Sequence, residues 1–313
     1  MTQENLGFVF PGQGSQQIGM LSDIAEQNKE IKETFAEASE VLGYDLWDLV
    51  QHGEQTEINQ TEITQPLLLS ASVSLWRLWL AHDGAEPGVM AGHSLGEWSA
   101  LVCAGVIDFS DAVAMVRNRG KYMQSAVPEG VGAMAAIVGL DDQTIFSACE
   151  SSAQGSLVTP VNFNSTSQVV IAGEAEAVNR AMAACKEAGA KRAMLLPVSA
   201  PFHTSLMQPA ADHLAQDLAS VNFRAPKIPI IHNVTVGLET DPDKIRELMI
   251  QQITAPVPWV ATVQKLKEMG IESLVECGPG KVLVGLVKRI EREFANTTID
   301  TAAAFAAAVS SNN

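Results

Sequence analysis

The sequence predicts a protein of the α/β class, in which a large domain built on a helix-flanked parallel sheet carries a second, smaller sheet domain as an insertion. Short apolar runs alternate with longer runs of helical spacing, which is typical of α/β proteins. In the middle of the chain, the predicted strands contain more small residues, and the order of strands and helices differs from that of the flanking parts. Hydrophobic residues make up 47% of the 313 residues and charged ones 18%, so a sizeable core is possible.

The first part of the chain begins with a strand over residues 6–10 (LGFVF), which Pro11 stops. Gly12-Gln13-Gly14 then forms a turn. The elements expected next are helices over 31–41 and 66–79, a strand over 88–91, a helix that follows the next turn and reaches Ala104, and a helix from Ser110 to Gln124. Ser110 is placed at the start of that last helix because serine is a good N-cap residue.

Residues 127–198 are predicted to form the small, ferredoxin-like domain. Its strands are expected over 132–140, 158–163, 168–172 and 193–198, and its helices over 141–152 and 175–188. The resulting order β-α-β-β-α-β is that of the split βαβ unit. Residues 1–126 and 199–313 then form the large α/β domain. The elements expected after the insertion are helices over 207–218, 243–253, 259–269 and 282–292, strands over 228–232 and 273–277, and an Ala-rich end from 296 that we expect to fray.

Composition excludes several classes of function. The net charge is −16, which argues against a nucleic-acid or anionic-membrane partner because both need clusters of Lys and Arg. The four cysteines are widely spaced, as in a reducing compartment, and neither a signal peptide nor a membrane span is recognisable. We therefore expect a cytoplasmic protein. Gly12-x-Gly14 lacks the third glycine of a dinucleotide site, and the six histidines are too scattered to indicate a metal site.

Gly92-His93-Ser94-Leu95-Gly96 is a G-x-S-x-G sequence between an apolar strand and a helix, which is typical of the nucleophile elbow of α/β-hydrolase-like folds. A serine on such a sharp turn has close backbone neighbours, so glycine is needed two positions to either side. The helix that follows directs its free N–H groups at the site. Ser94 is the predicted nucleophile and the N–H of Leu95 the first oxyanion donor. The alternative is a Gly-rich turn that only packs strand against helix.

A serine nucleophile needs a base, and His203 follows the last strand of the small domain, where the chain re-enters the large one. His93 is disfavoured because neighbouring side chains on a tight turn point apart. Eight acidic residues between Ser94 and His203 fall at helix starts or within helices: Asp108, Asp111, Asp141, Asp142, Glu150, Glu174, Glu176 and Glu187. A Ser–His dyad, with the imidazole held by a backbone carbonyl, is therefore preferred over a triad. On position alone, a loop histidine without function remains the alternative.

Arg119 lies on the apolar stripe of its predicted helix, in line with Ala112, Val116 and Met123. Arg117 lies about 200° away, on the polar side. An arginine on a buried stripe needs an anion, and no acidic residue lies one turn away. Either a distant carboxylate pairs with it, or Arg119 holds the carboxylate of a substrate bidentately.

The motifs together resemble those of a known family. They are FPGQGSQ at 10–16, GHSLGE at 92–97, Arg119-Gly120, NFNS at 162–165, APFH at 200–203 and ECGPG at 276–280. In this order they resemble the bacterial malonyl-CoA:acyl-carrier-protein transacylases of type II fatty acid synthesis, over nearly the whole chain to about residue 292.

The resemblance implies a ping-pong transfer of a malonyl group from coenzyme A to the phosphopantetheine thiol of acyl carrier protein. Ser94 would be the nucleophile, His203 the base and Arg119 the ligand of the malonyl carboxylate. The family pattern further implies that the N–H groups of Gln13 and Leu95 form the oxyanion hole. It also implies that the carbonyl of Gln252 orients the histidine, with Gln251 as the alternative for that role. Asn162 matches a family position that lines the cleft between the domains. No cofactor and no metal are implied, and we expect a monomer.

Phe202, just before the base, is expected to exclude an α-methyl branch, as in related malonyl-selective acyltransferases, although Ala200 stands where their motif has histidine. Basic residues that could dock an acidic carrier protein are Lys191-Arg192, and Lys281 with Lys288-Arg289. Three alternatives remain open: a serine thioesterase or hydrolase, a non-catalytic partner of the carrier protein, and a free-standing acyltransferase of a polyketide pathway. Release of free acid would indicate the hydrolase, and a stoichiometric burst of serine acylation would exclude the non-catalytic role. The identity of the physiological carrier protein would separate the polyketide enzyme from one of fatty acid synthesis.

Overall fold

The computed structural model describes residues 2–198 and 200–311, which form two β-sheets packed with helices. The strands are β1 (Thr2–Phe10), β2 (Glu86–Gly92), β3 (Gly132–Val138), β4 (Val158–Ser165), β5 (Gln168–Glu174), β6 (Arg192–Leu195), β7 (Ile230–Ile231), β8 (Ser273–Glu276) and β9 (Ala295–Thr298). The helices are α1 (Ser22–Ala25), α2 (Lys29–Leu42), α3 (Leu46–His52), α4 (Gln55–Ile58), α5 (Thr61–Ala81), α6 (Leu95–Cys103), α7 (Phe109–Ser125), α8 (Asp142–Ala153), α9 (Ala175–Glu187), α10 (Gln208–Leu218), α11 (Pro242–Gln251), α12 (Trp259–Glu268), α13 (Val282–Ile290) and α14 (Ala302–Ser311).

The large sheet has the strand order β7-β2-β1-β8-β9, and its strands pair in parallel. Both faces are covered, as parallel sheets require. Phe8 of β1 packs edge-to-face on Trp76 and Trp79 of α5, with ring centroids 5.3 Å apart in both pairs. Val9, on the opposite face, packs with Leu274 in a second apolar cluster. The alternation of side chains along β1 therefore builds two core layers.

The small sheet has the order β4-β5-β3-β6 and is antiparallel. Ala135 and Ile137 of β3 pack under α8 and α9, whereas Met134 and Ala136 face the core of the large unit. The order β3-α8-β4-β5-α9-β6 is the predicted βαββαβ unit, and with the parallel sheet it confirms the predicted fold class. The domain limits 127–198, 1–126 and 199–313 remain predictions, and residues 1, 199, 312 and 313 lie outside the described residues.

The C-terminal segment differs from expectation. It was expected to fray from residue 296, yet β9 pairs in parallel with β8, and α14 packs back on the core. The physical reason is two apolar anchors in an Ala-rich stretch: Ile299 is fully buried, and the ring of Phe305 lies 6.2 Å from that of Trp79. The segment is therefore part of the large unit.

Several element ends also differ from the sequence prediction. Helix α7 begins at Phe109 with Asp108 at its N-cap, so Ser110 is not the cap. The strand expected over 228–232 is reduced to the two residues of β7, and β6 ends at Leu195. Within residues 2–198 and 200–311, no helix is long and apolar enough to cross a membrane, and no cluster of side chains fit to hold a metal ion is present.

Candidate active site

The turn between β2 and α6 holds Ser94 in a strained conformation, with φ 51° and ψ −106°. A non-glycine residue with positive φ is uncommon and marks functional turns. A Cβ atom at Gly92 would overlap the backbone of Gly96, and one at Gly96 would overlap the carbonyl of Phe10. The two glycines are therefore required by close backbone contact, and Ser94 is presented at the N-terminus of α6.

His203 lies against this serine. Its Nε2 atom is 2.8 Å from Ser94 Oγ, and its Nδ1 atom is 3.0 Å from the backbone carbonyl oxygens of both Gln252 and Ala255. A carbonyl can only accept, so we assign the proton to Nδ1, which leaves the lone pair of Nε2 free to accept from the serine hydroxyl. The orienting groups of the described site are carbonyls rather than a carboxylate, which is the arrangement of a dyad.

Burial and, after it, the nearby charge of Arg119 lower the pKa of His203 to about 3. The imidazole is therefore neutral at pH 7, as a general base must be before it takes a proton.

Arg119, on α7, is 1% exposed and points at the serine. Its Nη1 donates to Gln65 Oε1 at 2.8 Å, and its Nη2 donates to Gln252 Oε1 at 2.9 Å and to Ser94 Oγ at 3.2 Å. Its Nε has no hydrogen-bond partner among the described residues. Burial lowers its pKa to about 10, so the side chain stays charged at neutral pH.

The distant carboxylate considered for Arg119 is not in contact with it: the ion pairs of residues 2–198 and 200–311 do not include this side chain. Neutral oxygens therefore hold a buried positive charge. Arg117 is exposed, as the helical spacing predicts.

A cavity of about 120 Å³ lies between these groups, and most of the sequence-predicted site residues line it: Gln13, Ser94, Leu95, Arg119, Asn162, Phe202 and His203. Gln252 does not line the cavity, but its side-chain oxygen accepts a hydrogen bond from Arg119, which does. Gln251 is exposed. His93 was expected to point away from Ser94, yet it also lines the cavity, with its Nε2 atom 2.8 Å from Asn164 Oδ1. The N–H groups of Leu95 and Gln13 donate no hydrogen bond to another described residue.

A larger cleft of about 630 Å³ adjoins the cavity, and Val198 lines both. Thr61 lines the cleft and lies 3.5 Å from the side-chain amide of Gln13, which lines the cavity. A long substrate could therefore extend from the cavity into the cleft.

Four polar residues of the site carry no sequence prediction: Gln65, Glu97, His232 and Asn233. Glu97 accepts from Gln252 Nε2 at 2.5 Å and lies 2.8 Å from His232 Nδ1, while Asn233 Oδ1 accepts from the N–H of Ser94 at 2.9 Å. Gln65 and Glu97 share one signal, a long polar side chain within a helix whose residues are mostly buried.

Comparison with known proteins agrees with this geometry. Residues 7–305 match the acyl transferase domain family. The malonyl CoA-acyl carrier protein transacylase of Escherichia coli strain K12 is 58% identical over 309 residues, which are 99% of each chain.

Two solved structures superpose closely. An acyl carrier protein S-malonyltransferase from Vibrio cholerae has a TM-score of 0.95 and 56% identity, over 97% of this chain and 99% of that one. A malonyl-transacylase in complex with its type II polyketide acyl-carrier protein has a TM-score of 0.97 and 53% identity, over 99% of this chain and 100% of that one. With the family match and these full-length likenesses, this chain belongs to the acyl transferase family and, within it, to the malonyl-CoA:acyl-carrier-protein transacylases.

Proposed function

We propose that this chain transfers a malonyl group from coenzyme A to the phosphopantetheine thiol of acyl carrier protein, and so feeds fatty acid biosynthesis. The observation that carries the substrate is the buried charge of Arg119, which contacts Ser94 Oγ at 3.2 Å and has no carboxylate partner among the described residues. A malonyl thioester brings both the carbonyl that serine attacks and the carboxylate that the arginine lacks. The full-length likeness to malonyl transacylases supports the same substrate.

In the first half-reaction, Ser94 Oγ attacks the thioester carbonyl and gives its proton to His203 Nε2. The N–H groups of Leu95 and Gln13 stabilise the oxyanion of the tetrahedral intermediate. The carbon–sulfur bond then breaks, His203 returns the proton to the sulfur, and coenzyme A leaves as the thiol. The product is a malonyl ester on Ser94.

In the second half-reaction, the thiol of the carrier protein gives its proton to His203 and its sulfur attacks the malonyl ester. The bond between the carbonyl carbon and Ser94 Oγ breaks, and His203 returns the proton to the serine. The same groups serve both half-reactions, because the leaving group of the first and the nucleophile of the second are both pantetheine thiols. Asn162 and Phe202 border the acyl group as part of the cavity wall.

The malonyl carboxylate also affects the base. The charge of Arg119 is one cause of the low pKa of His203. A bound carboxylate offsets that charge, so the pKa of the imidazole rises when the correct substrate is in place. Binding of the carboxylate thus makes His203 a stronger base.

All of these residues come from a single chain, and the cleft beside the cavity gives a pantetheine arm a path to Ser94. We therefore propose a monomeric enzyme whose partners are malonyl-CoA and acyl carrier protein. The four cysteines are free thiols, which supports a reducing compartment, the cytoplasm. Sedimentation of the purified protein tests whether it is a monomer in solution.

The function is tested by following both half-reactions with purified protein. Malonyl-CoA alone should release about one equivalent of coenzyme A, and holo carrier protein should then take up the malonyl group as a thioester. Apo carrier protein, which lacks the thiol, is the matched control and should accept nothing. Continuous release of free malonate without a carrier would identify a hydrolase instead.

A further inference from the structure

Glu97 is a buried carboxylate one turn after Ser94, and the mechanism above does not use it. It is 1% exposed. Its Oε1 lies 2.8 Å from His232 Nδ1, and its Oε2 accepts from Gln252 Nε2 at 2.5 Å and from the N–H of Asn233 at 3.3 Å. A buried carboxylate is costly unless its oxygens are fully hydrogen-bonded, and here they join three separate segments of the chain.

These contacts fix the orientation of the Gln252 amide. One end of the amide faces Glu97 Oε2 and, at 3.0 Å, the carbonyl oxygen of Ser94, and both of these atoms are acceptors. The other end faces Arg119 Nη2, which can only donate. The NH₂ group must therefore lie toward Glu97 and the oxygen toward the arginine. Reversal of the amide would place donor against donor and acceptor against acceptor.

We propose that Glu97 is a positioning residue that acts through the side chain of Gln252 to hold Arg119 ready for the malonyl carboxylate. The proposal rests on the proposed function, since it assigns the arginine to that carboxylate. Gln252 serves both halves of the site: its side chain accepts from Arg119, and its backbone carbonyl accepts from His203. The negative charge of Glu97 also favours the charged form of Arg119, since it raises the pKa of that guanidinium.

Glu97→Gln is the sharpest perturbation because it keeps size and shape but replaces one acceptor oxygen with a donor. If the remaining oxygen serves His232, the new NH₂ group faces the NH₂ group of Gln252. The Gln252 amide then reverses, and Arg119 Nη2 loses its acceptor. We expect the ratio of malonyl to acetyl kcat/KM to fall about ten-fold, the scale of one hydrogen bond to a charged group.

The test measures kcat/KM for malonyl-CoA and for acetyl-CoA in the parent, Glu97→Gln, Gln252→Ala and the double variant. Gln252→Ala removes the side chain but keeps the backbone carbonyl that orients His203. It should therefore lower the same ratio, and adding Glu97→Gln to it should lower the ratio no further. Glu276→Gln is the matched control: this carboxylate is also fully buried and accepts two backbone N–H groups, of Leu283 and Val284, but it does not contact Arg119 or Gln252. Its ratio should equal that of the parent.

Two results would overturn the proposal: equal losses of malonyl and acetyl acylation in Glu97→Gln, which indicate a general structural role, or losses that add in the double variant. Thermal unfolding of each variant checks that the variant is folded before its kinetics are compared with those of the parent. The parent protein distinguishes a failure of the proposed function from a failure of the role of Glu97. If the parent itself is not acylated by malonyl-CoA, the proposed function fails; if it is acylated and the variants behave otherwise than stated, only the role of Glu97 fails.

Discussion

Replacement of Arg119 by alanine should convert a malonyl-selective site into one that no longer favours a charged acyl group. The guanidinium is buried, contacts Ser94 Oγ at 3.2 Å and is held by the side-chain oxygens of Gln65 and Gln252. A bidentate contact with a malonyl carboxylate supplies two hydrogen bonds between charged groups, each about 1.5–3 kcal/mol. Their loss amounts to roughly 3–6 kcal/mol, or about 10²–10⁴-fold in malonyl kcat/KM.

Acetyl-CoA provides the internal reference, because the acetyl group carries no charge for the arginine to bind. Acetyl transfer by Arg119→Ala should fall much less than malonyl transfer, or rise, since Ser94 and His203 remain in place. Arg119→Lys should recover only part of the malonyl rate, because an ammonium group cannot reproduce the forked pair of donors.

The assay is the ratio of malonyl to acetyl kcat/KM for the parent and the variants, with thermal unfolding as a check on the fold. Arg117→Ala is the matched control, because Arg117 lies on the same helix but is exposed, and it should leave the ratio unchanged. An unchanged ratio in Arg119→Ala, or a collapse of the ratio in Arg117→Ala, would refute the reasoning.

Three further predictions concern the base, the carrier and the acyl pocket. Because burial and the charge of Arg119 lower the pKa of His203 to about 3, acylation by acetyl-CoA should continue well below pH 6.5. In Arg119→Ala, the pH below which the acylation rate falls should be higher than in the parent. A fall near pH 6.5 in the parent would contradict the role of His203 as a base with a lowered pKa. Reversal of the exposed Lys191 and Arg192 to Glu should raise the KM for carrier protein but not for malonyl-CoA, and the effect should shrink with added salt; unchanged KM values would exclude this docking site. Phe202 lines the cavity, so methylmalonyl-CoA should be used about 10–200-fold less efficiently than malonyl-CoA, and equal kcat/KM values would show that no such exclusion exists.

Local signals in the sequence were enough to predict the parts of the site that obey local rules. The elbow follows from the spacing of Gly92, Ser94 and Gly96, because close backbone contact at a sharp turn tolerates only glycine there. The inward direction of Arg119 follows from helical periodicity. The βαββαβ order of the small unit follows from the alternation of strand and helix patterns.

The contacts that depend on long-range packing were not predictable in this way. Glu97 and Gln252 are 155 residues apart in sequence, and no local pattern pairs them. The role of Gln252 came from family resemblance, and its side-chain contact with Arg119 became visible only in the structure. Alanine-rich composition similarly concealed α14, whose place in the core depends on the packing of Phe305 against Trp79 and His82.

The most direct test of the central claim is the site of covalent labelling by malonyl-CoA. Ser94 Oγ is the atom that His203 Nε2 faces at 2.8 Å, so a brief incubation should add one malonyl group, and digestion should place it on the peptide that contains Ser94. Ser94→Ala should fold normally and remain unlabelled, and His203→Ala should label much more slowly. A malonyl group on another residue, or labelling of Ser94→Ala at the parent rate, would contradict the account.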